Sequence, residues 1–191
     1  MKCKVIYAHS SNKRQQSEPF FATNGPLCRA LKPMNIPSPF EGLDIEKELV
    51  CEFFATLSRL EFALKELGYS RNERGVVSPA WWRFSEEIAK NVHIDIGSEL
   101  DGAINFLCNE PPMVQISAQE WQPRDLHGER EIEKAIDAAC RVRHNLFHGG
   151  KHTPHSPPGR DRRLVESAQM VLLACIEACP RLREVYVQNR F

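Results

Sequence analysis

The sequence lacks several features that identify common classes of protein. Its charge is balanced, with 25 basic and 25 acidic side chains, so the chain as a whole creates no field that would draw it to nucleic acid. Its seven cysteines include no C-x-x-C pair of the kind that builds zinc or redox sites. No stretch approaches the roughly 20 apolar residues of a membrane span, and the first residues are too weakly apolar for a signal peptide. These absences predict a cytoplasmic protein with reduced thiols, no metal and no cofactor.

What is present indicates one folded core and an N-terminal extension. The chain has 191 residues, of which 42% are hydrophobic and 26% charged, values that are ordinary for a globular domain. Residues 8–42 contain five prolines, a density that prevents both a helix and a central strand. We therefore predict an extended proline-rich arm over residues 1–42 and a helical domain over residues 43–191.

Apolar residues recur at every third and fourth position in five segments, which predicts five amphipathic helices. Asp44 and Ser98 are expected N-caps, Pro79 an expected first helical residue, and Gly68 and the Gly149-Gly150 pair expected stops. The predicted helices cover about 44–67, 78–91, 98–110, 129–147 and 161–179. Only residues 2–7 and 113–116 show weak strand character. The predicted fold is an all-α, mainly antiparallel bundle of about five helices.

Basic side chains cluster where the fourth predicted helix ends. No acidic residue lies between positions 141 and 151. Arg143 and His148 are five residues apart and would differ by about 140° in direction on a regular helix. The Gly149-Gly150 stop lets the last turn unwind, so His148 can swing back beside the guanidinium.

An arginine and a histidine in this arrangement suit the cleavage of RNA by its own 2′-hydroxyl. The reaction needs a base, an acid and positive charge on the phosphorane oxygens, and it needs no metal. Imidazole can serve as base or acid near neutrality, and arginine offers a permanently charged planar fork to phosphate. The residues therefore predict a metal-independent ribonuclease site.

The string C-R-V-R-H-N-L-F-H-G-G-K, residues 140–151, resembles the R-x4-6-H motif of HEPN domains, which are small helical bundles found in bacterial toxins and antiviral effectors. Arg143 matches the motif arginine, His148 the motif histidine, and His144 the polar position after the arginine. More loosely, the resemblance extends over residues 44–179. One toxin subgroup has a tyrosine, the target of inactivating adenylylation, two residues after the motif histidine. Here Gly150 stands there, which puts that form of regulation in doubt.

The resemblance implies a homodimer in which two motif helices face each other and both Arg/His pairs line one cleft. It also implies endoribonuclease activity with cyclic phosphate products, and a cognate antitoxin or other regulatory partner. The predicted residues are catalytic Arg143 and His148, supporting His144 and Asn145, and RNA-binding Arg141 and Lys151. Of these roles, those of Arg143, His148 and His144 have a counterpart in the family motif.

Other interpretations of the same residues remain open. Arg143, His144 and His148 could merely cap the helix C-terminus. Zinc could bind the ligand series that recurs every four residues, which consists of Cys140, His144, His148 and His152. The chain could also be a non-catalytic HEPN-like module that binds RNA or nucleotide, or that only dimerises.

Four further side chains have a structural interpretation beside a functional one. Arg59 and Glu61 could support the site, but solvated helix charges are commoner. Trp81 and Trp82 could stack on bases, yet adjacent tryptophans on an amphipathic helix more often serve the core or an interface.

Overall fold

The computed structural model describes residues 36, 38, 40–147 and 157–188. Contacts divide the chain after Pro37, and the elements below belong to the unit Ser38–Phe191. Within the described residues this unit has six helices and two antiparallel pairs of short strands. The helices are α1 (Lys47–Glu66), α2 (Trp81–Ile88), α3 (Glu99–Asn109), α4 (Glu131–Phe147), α5 (Arg160–Ala178) and α6 (Pro180–Gln188). The strands are β1 (Ser70–Glu73), β2 (Val76–Pro79), β3 (Val114–Gln115) and β4 (Trp121–Gln122).

The mostly helical character is as predicted, and the described residues contain one helix more than expected. The predicted strand at residues 2–7 and nearly all of the predicted arm lie outside the described residues. No helix in the described ranges is both long and apolar enough to cross a membrane.

The first predicted helix is confirmed with a later start. Its N-cap is Glu46, not Asp44, because the Asp44 carboxylate instead accepts the backbone N–H of Gly159 at 2.7 Å, where α5 begins. At the other end, Gly68 adopts φ +85°, the left-handed conformation that closes a helix and favours glycine. The predicted glycine stop is therefore confirmed. Asp44, the expected N-cap, instead links the segment before α1 to the start of α5.

The sequence predicts a loop between the first two helices, from Tyr69 to Val77, and this prediction is wrong. β1 and β2 form a hairpin whose two-residue turn, Arg74-Gly75, has positive φ at both positions. The Asn72 side chain accepts the N–H of Gly75 at 3.0 Å. Pro79 ends β2 and Ala80 caps α2, so proline is not the first helical residue. Four-residue strands are too short to show alternation clearly, and an Arg-Gly turn lacks the usual asparagine signal.

Two other local predictions are confirmed. Ser98 caps α3 as predicted, with its hydroxyl accepting the N–H of Asp101 at 3.1 Å. Pro180 is predicted to bound the fifth helix, which is confirmed because α5 ends at Ala178. A further helix, α6, begins at Pro180 and was not predicted; the first helical position needs no N–H and suits the fixed φ of proline. The weak strand predicted at residues 113–116 is confirmed in part by β3, which pairs with β4.

Helix α5 lies at the centre of the helical part and packs against α1, α3, α4 and α6. Its buried side chains recur with helical periodicity and cover one whole side of the helix. They are Leu164, Val165, Ser167, Ala168, Val171, Leu172, Cys175 and Ile176. The apolar stripe of α4 packs onto this core. The packing of α4 on α5 fixes which sides of α4 are covered and which remain accessible.

Candidate functional site

Helix α4 carries the described residues of the predicted site and separates them by direction. Successive helical residues differ by about 100°, so Arg143 and Asn145 project to nearly opposite sides. Cys140, Arg143 and Phe147, spaced by three and four residues, share one side instead. We call this stripe of three side chains the motif face. Asn145 is buried, whereas Arg143 is partly exposed.

An ion pair with Glu61 of α1 orients Arg143. Arginine Nη2 lies 3.0 Å from glutamate Oε1, and the two side chains are 39% and 20% exposed. The expectation that Glu61 is only a solvated helix charge is therefore wrong. A partly exposed pair contributes at most about 1 kcal/mol to stability, but it restricts the direction of a guanidinium that solvent can still reach.

Arg59, the other charged candidate on α1, does not contribute to this pair. Its Nη2 donates to the backbone carbonyl of Tyr186 at 2.7 Å, and its guanidinium lies over the ring of the same tyrosine at 4.7 Å. Arg59 and Glu61 project from different sides of α1, and Glu61 pairs with Arg143 of α4 while Arg59 contacts Tyr186 of α6. The two-residue spacing already indicates that Arg59 and Glu61 do not share a side of α1, but the sequence gives no signal for which of them lies beside Arg143.

An accessible aromatic pair lies on the same surface. The rings of Phe54 on α1 and Phe147 on α4 meet edge to face, with centroids 5.2 Å apart. Phe54 is 56% exposed and Phe147 is 37% exposed. The Phe54–Phe147 pair therefore places apolar surface on the two helices that hold the Glu61–Arg143 pair. Helical periodicity gives no sign of this pair, because it counts Phe54 with the other apolar residues of the first predicted helix.

Arg141, predicted to contact RNA, instead fastens a loop to α4. Its guanidinium donates to the carbonyls of Arg124, at 2.6 Å, and Asp125, and to the carboxylate of Asp137 at 2.7 Å. The side chain is only 11% exposed. A phosphate contact would require these bonds to break, so the arrangement favours a structural role for Arg141.

Asn145 also makes an internal contact. Its amide nitrogen donates to the backbone carbonyl of Met113 at 2.8 Å, and the side chain is buried. This bond ties the segment before β3 to α4. Asn145 is thus directed away from the motif face, and the predicted role of orienting an imidazole there finds no support in these contacts.

The remaining predicted residues lie at or beyond the end of α4. His144 is exposed in the last turn. His148, Lys151 and the Gly149-Gly150 stop lie outside the described residues. The predicted approach of His148 to Arg143 therefore stays a prediction, as does an RNA contact from Lys151.

Cys140 bears on the zinc interpretation. Burial raises the pKa of its thiol well above the usual range, with Asp137 and Glu61 adding to the rise and Arg143 opposing it. Zinc binds the thiolate, so its binding to Cys140 would have to displace this proton. Within the ranges described here, no three histidine, cysteine or acidic side chains form a cluster that could hold a metal ion. Two of the predicted ligands, His148 and His152, are outside those ranges.

The chain matches no family model, no curated protein and no solved structure.

Proposed function

We propose that the chain is a metal-independent endoribonuclease of the HEPN type that acts as a homodimer. The observation that supports this most is the state of Arg143. It stands just before the last turn of α4, is oriented by Glu61, and remains 39% exposed. A guanidinium fixed in direction yet accessible is suited to bind a phosphate from solvent.

In the proposed reaction the RNA 2′-hydroxyl attacks the adjacent phosphorus. One imidazole takes the hydroxyl proton, the bond from O2′ to phosphorus forms, and the bond from phosphorus to O5′ breaks. A second imidazole gives its proton to the departing O5′, which leaves a 2′,3′-cyclic phosphate and a 5′-hydroxyl. Arg143 stabilises the negative charge on the phosphorane oxygens, and His148 supplies the imidazole.

This reaction needs a base and an acid, and one chain supplies one His148. A second copy related by a twofold axis would supply the other imidazole. The Phe54–Phe147 pair supports this arrangement, since it is exposed on the two helices that hold Arg143. Aromatic side chains are enriched in interfaces, and a twofold interface joins the same patch of both copies.

We further propose a cytoplasmic role as a toxin or antiviral defence effector, following the family that the motif resembles. An enzyme that cuts cellular RNA needs a cognate antitoxin or another regulatory partner. Because Gly150 stands where one toxin subgroup has a modifiable tyrosine, restraint by adenylylation at that position is not part of the proposal.

The test is cleavage of total RNA by the purified protein in the presence of a chelator. We expect cleavage by the wild type and a loss of about a hundredfold or more in Arg143→Ala and in His148→Ala. Arg183→Ala is the matched control, because Arg183 is also an exposed helical arginine paired with a glutamate, Glu177 at 3.2 Å. It should cleave as the wild type does.

Two results would contradict the proposal. Equal cleavage by His148→Ala and the wild type would remove the mechanism. Intact RNA that nevertheless binds the wild type would identify the non-catalytic module instead.

A further inference from the structure

A cleft lies between α2 and the first half of α4. Its volume is about 400 Å³, within the range of sites that bind small molecules. The hairpin β1–β2 and the loop before α4 contribute to its walls. Its lining includes Trp81, Trp82, Glu86, His127, Asp137 and Cys140.

Two indole rings, those of Trp81 and Trp82, line the cleft. Trp82 is 60% exposed, which is unusual for so large an apolar side chain on an eight-residue helix. Trp81 is held in place by Phe84, with ring centroids 6.1 Å apart in an edge-to-face arrangement. Trp82 therefore offers an accessible indole face on which a planar ligand can stack, and Trp81 adds a second, packed indole to the lining.

Three carboxylates line the cleft, those of Glu86, Glu133 and Asp137. One cation, Arg71, also lines it, and its guanidinium is engaged by the Glu73 carboxylate at 3.2 Å and the Ser78 hydroxyl at 2.9 Å. Asp137 receives the guanidinium of Arg141 and the backbone N–H of His127, at 2.7 and 3.1 Å, and Glu86 is an exposed carboxylate. Carboxylates disfavour a phosphate inside the cleft but accept hydrogen bonds from amino groups. A neutral planar ring with amino groups at its edge fits these walls better than an anion does.

The position of the cleft relates it to Arg143. The lining residues Ile136, Asp137 and Cys140 form a helical stripe that continues directly into the motif face. Arg143 lies about 5 Å further along the axis of α4 than Cys140, and about 9 Å further than Asp137, at 1.5 Å per residue. A ligand in the cleft and a phosphate at Arg143 could thus belong to one nucleotide.

We propose that this cleft binds one base of a single-stranded RNA, stacked on Trp82, while an adjoining phosphate contacts Arg143. Glu86 accepts hydrogen bonds from an exocyclic amino group, so adenine, cytosine and guanine bind in preference to uracil. The identity of the ligand rests on the proposed ribonuclease function, but the cleft can be tested without any cleavage.

The test is calorimetric titration of the full chain with short oligoribonucleotides of a single base. These oligoribonucleotides carry 2′-O-methyl groups in place of the 2′-hydroxyls. They therefore lack the nucleophile of the proposed reaction and stay intact during the titration. Trp82→Ala should weaken binding about fivefold to a hundredfold, the range expected for the loss of one stacked base, and Trp82→Phe should restore most of it. Val187→Ala, a change at a side chain with 59% exposure on α6, should leave binding unchanged.

Glu86→Gln should reduce the preference for the amino-bearing bases over uracil. Arg143→Ala should instead weaken binding of all sequences to a similar degree, as the loss of a phosphate contact does. Absence of binding by the wild type, or equal binding by Trp82→Ala and the wild type, would overturn the base site.

The binding and cleavage results together separate the two proposals. Binding that depends on Trp82, in a protein that never cleaves RNA, would retain the base site and remove the ribonuclease. Cleavage that is lost in Arg143→Ala but unaffected by Trp82→Ala, with no binding that depends on Trp82, would retain the ribonuclease and remove the base site.

Discussion

Arg141 and Arg143 stand two residues apart on α4, and their side chains are used in different ways. Arg141 is 11% exposed and bonded to three protein oxygens, whereas Arg143 is 39% exposed and paired with one carboxylate. A basic cluster in a sequence therefore does not define a binding surface. Its members differ in whether a neighbouring segment covers the side of the helix from which each side chain projects.

The largest expected effect separates the two arginines by activity. Arg143→Ala should lower RNA cleavage by about a hundredfold or more, since it removes charge from the reacting phosphate. Arg141→Ala should retain the wild-type rate per folded molecule. Rates are to be normalised to the folded fraction measured by circular dichroism. Equal losses in both variants would show that the contrast between the two faces has no functional meaning.

Stability should separate the arginines in the reverse order. Arg141→Ala leaves two carbonyls and the Asp137 carboxylate without their donor, and it should lower the free energy of unfolding by about 2–4 kcal/mol. Arg143→Ala should lower it by less than about 1 kcal/mol. Urea unfolding monitored by tryptophan fluorescence measures both values. Arg141→Lys should recover only part of the loss, because one ammonium cannot reproduce the planar fork.

The free energy of unfolding should fall at alkaline pH because of a buried thiol on α5, the helix on which α4 packs. Burial raises the pKa of the Cys175 thiol from 9.0 to about 12. Above pH 9 the unfolded chain loses this proton while the folded protein keeps it, so stability falls as pH rises. The slope from this thiol is about 1.4 kcal/mol per pH unit between about pH 9 and 12.

Urea unfolding of the wild type and Cys175→Ala over that range checks the alkaline prediction. The variant should show a shallower decline, whatever constant offset its small cavity adds. Parallel declines in the two proteins would contradict it. Arg143→Ala, a change on the accessible side of α4, should leave the slope due to the Cys175 thiol unchanged.

The smallest expected effect concerns the partner of Arg143. Glu61→Gln removes a charge that orients the guanidinium but also competes with phosphate. Because exposed ion pairs contribute about 0.2–1 kcal/mol, kcat should fall by no more than about fivefold, and KM for RNA should fall as well. Steady-state kinetics on one oligoribonucleotide gives both constants. A fall in kcat with a higher KM would show that Glu61 supports binding instead.

Much of the helical fold followed from periodicity. The apolar stripes that predicted α1, α3, α4 and α5 arise because one side of each helix is buried. Each apolar residue of a stripe is a separate sign of that burial, so the pattern is easy to recognise. The hairpin after α1 and the helix α6 were missed because four-residue strands show little alternation, and because a proline can begin a helix as well as end one.

Less of the candidate site could be predicted. The sequence determined that Arg143 falls near the C-terminal end of α4, because the apolar stripe and the glycine stop set the bounds of that helix. Asn145 was predicted to support the site, and its burial beneath Met113 instead places it on the other side of α4. Only the tertiary structure decided that Glu61 reaches Arg143, that a loop covers Arg141, and that Met113 engages Asn145. These contacts join residues from distant segments, and local spacing carries no record of which segments meet.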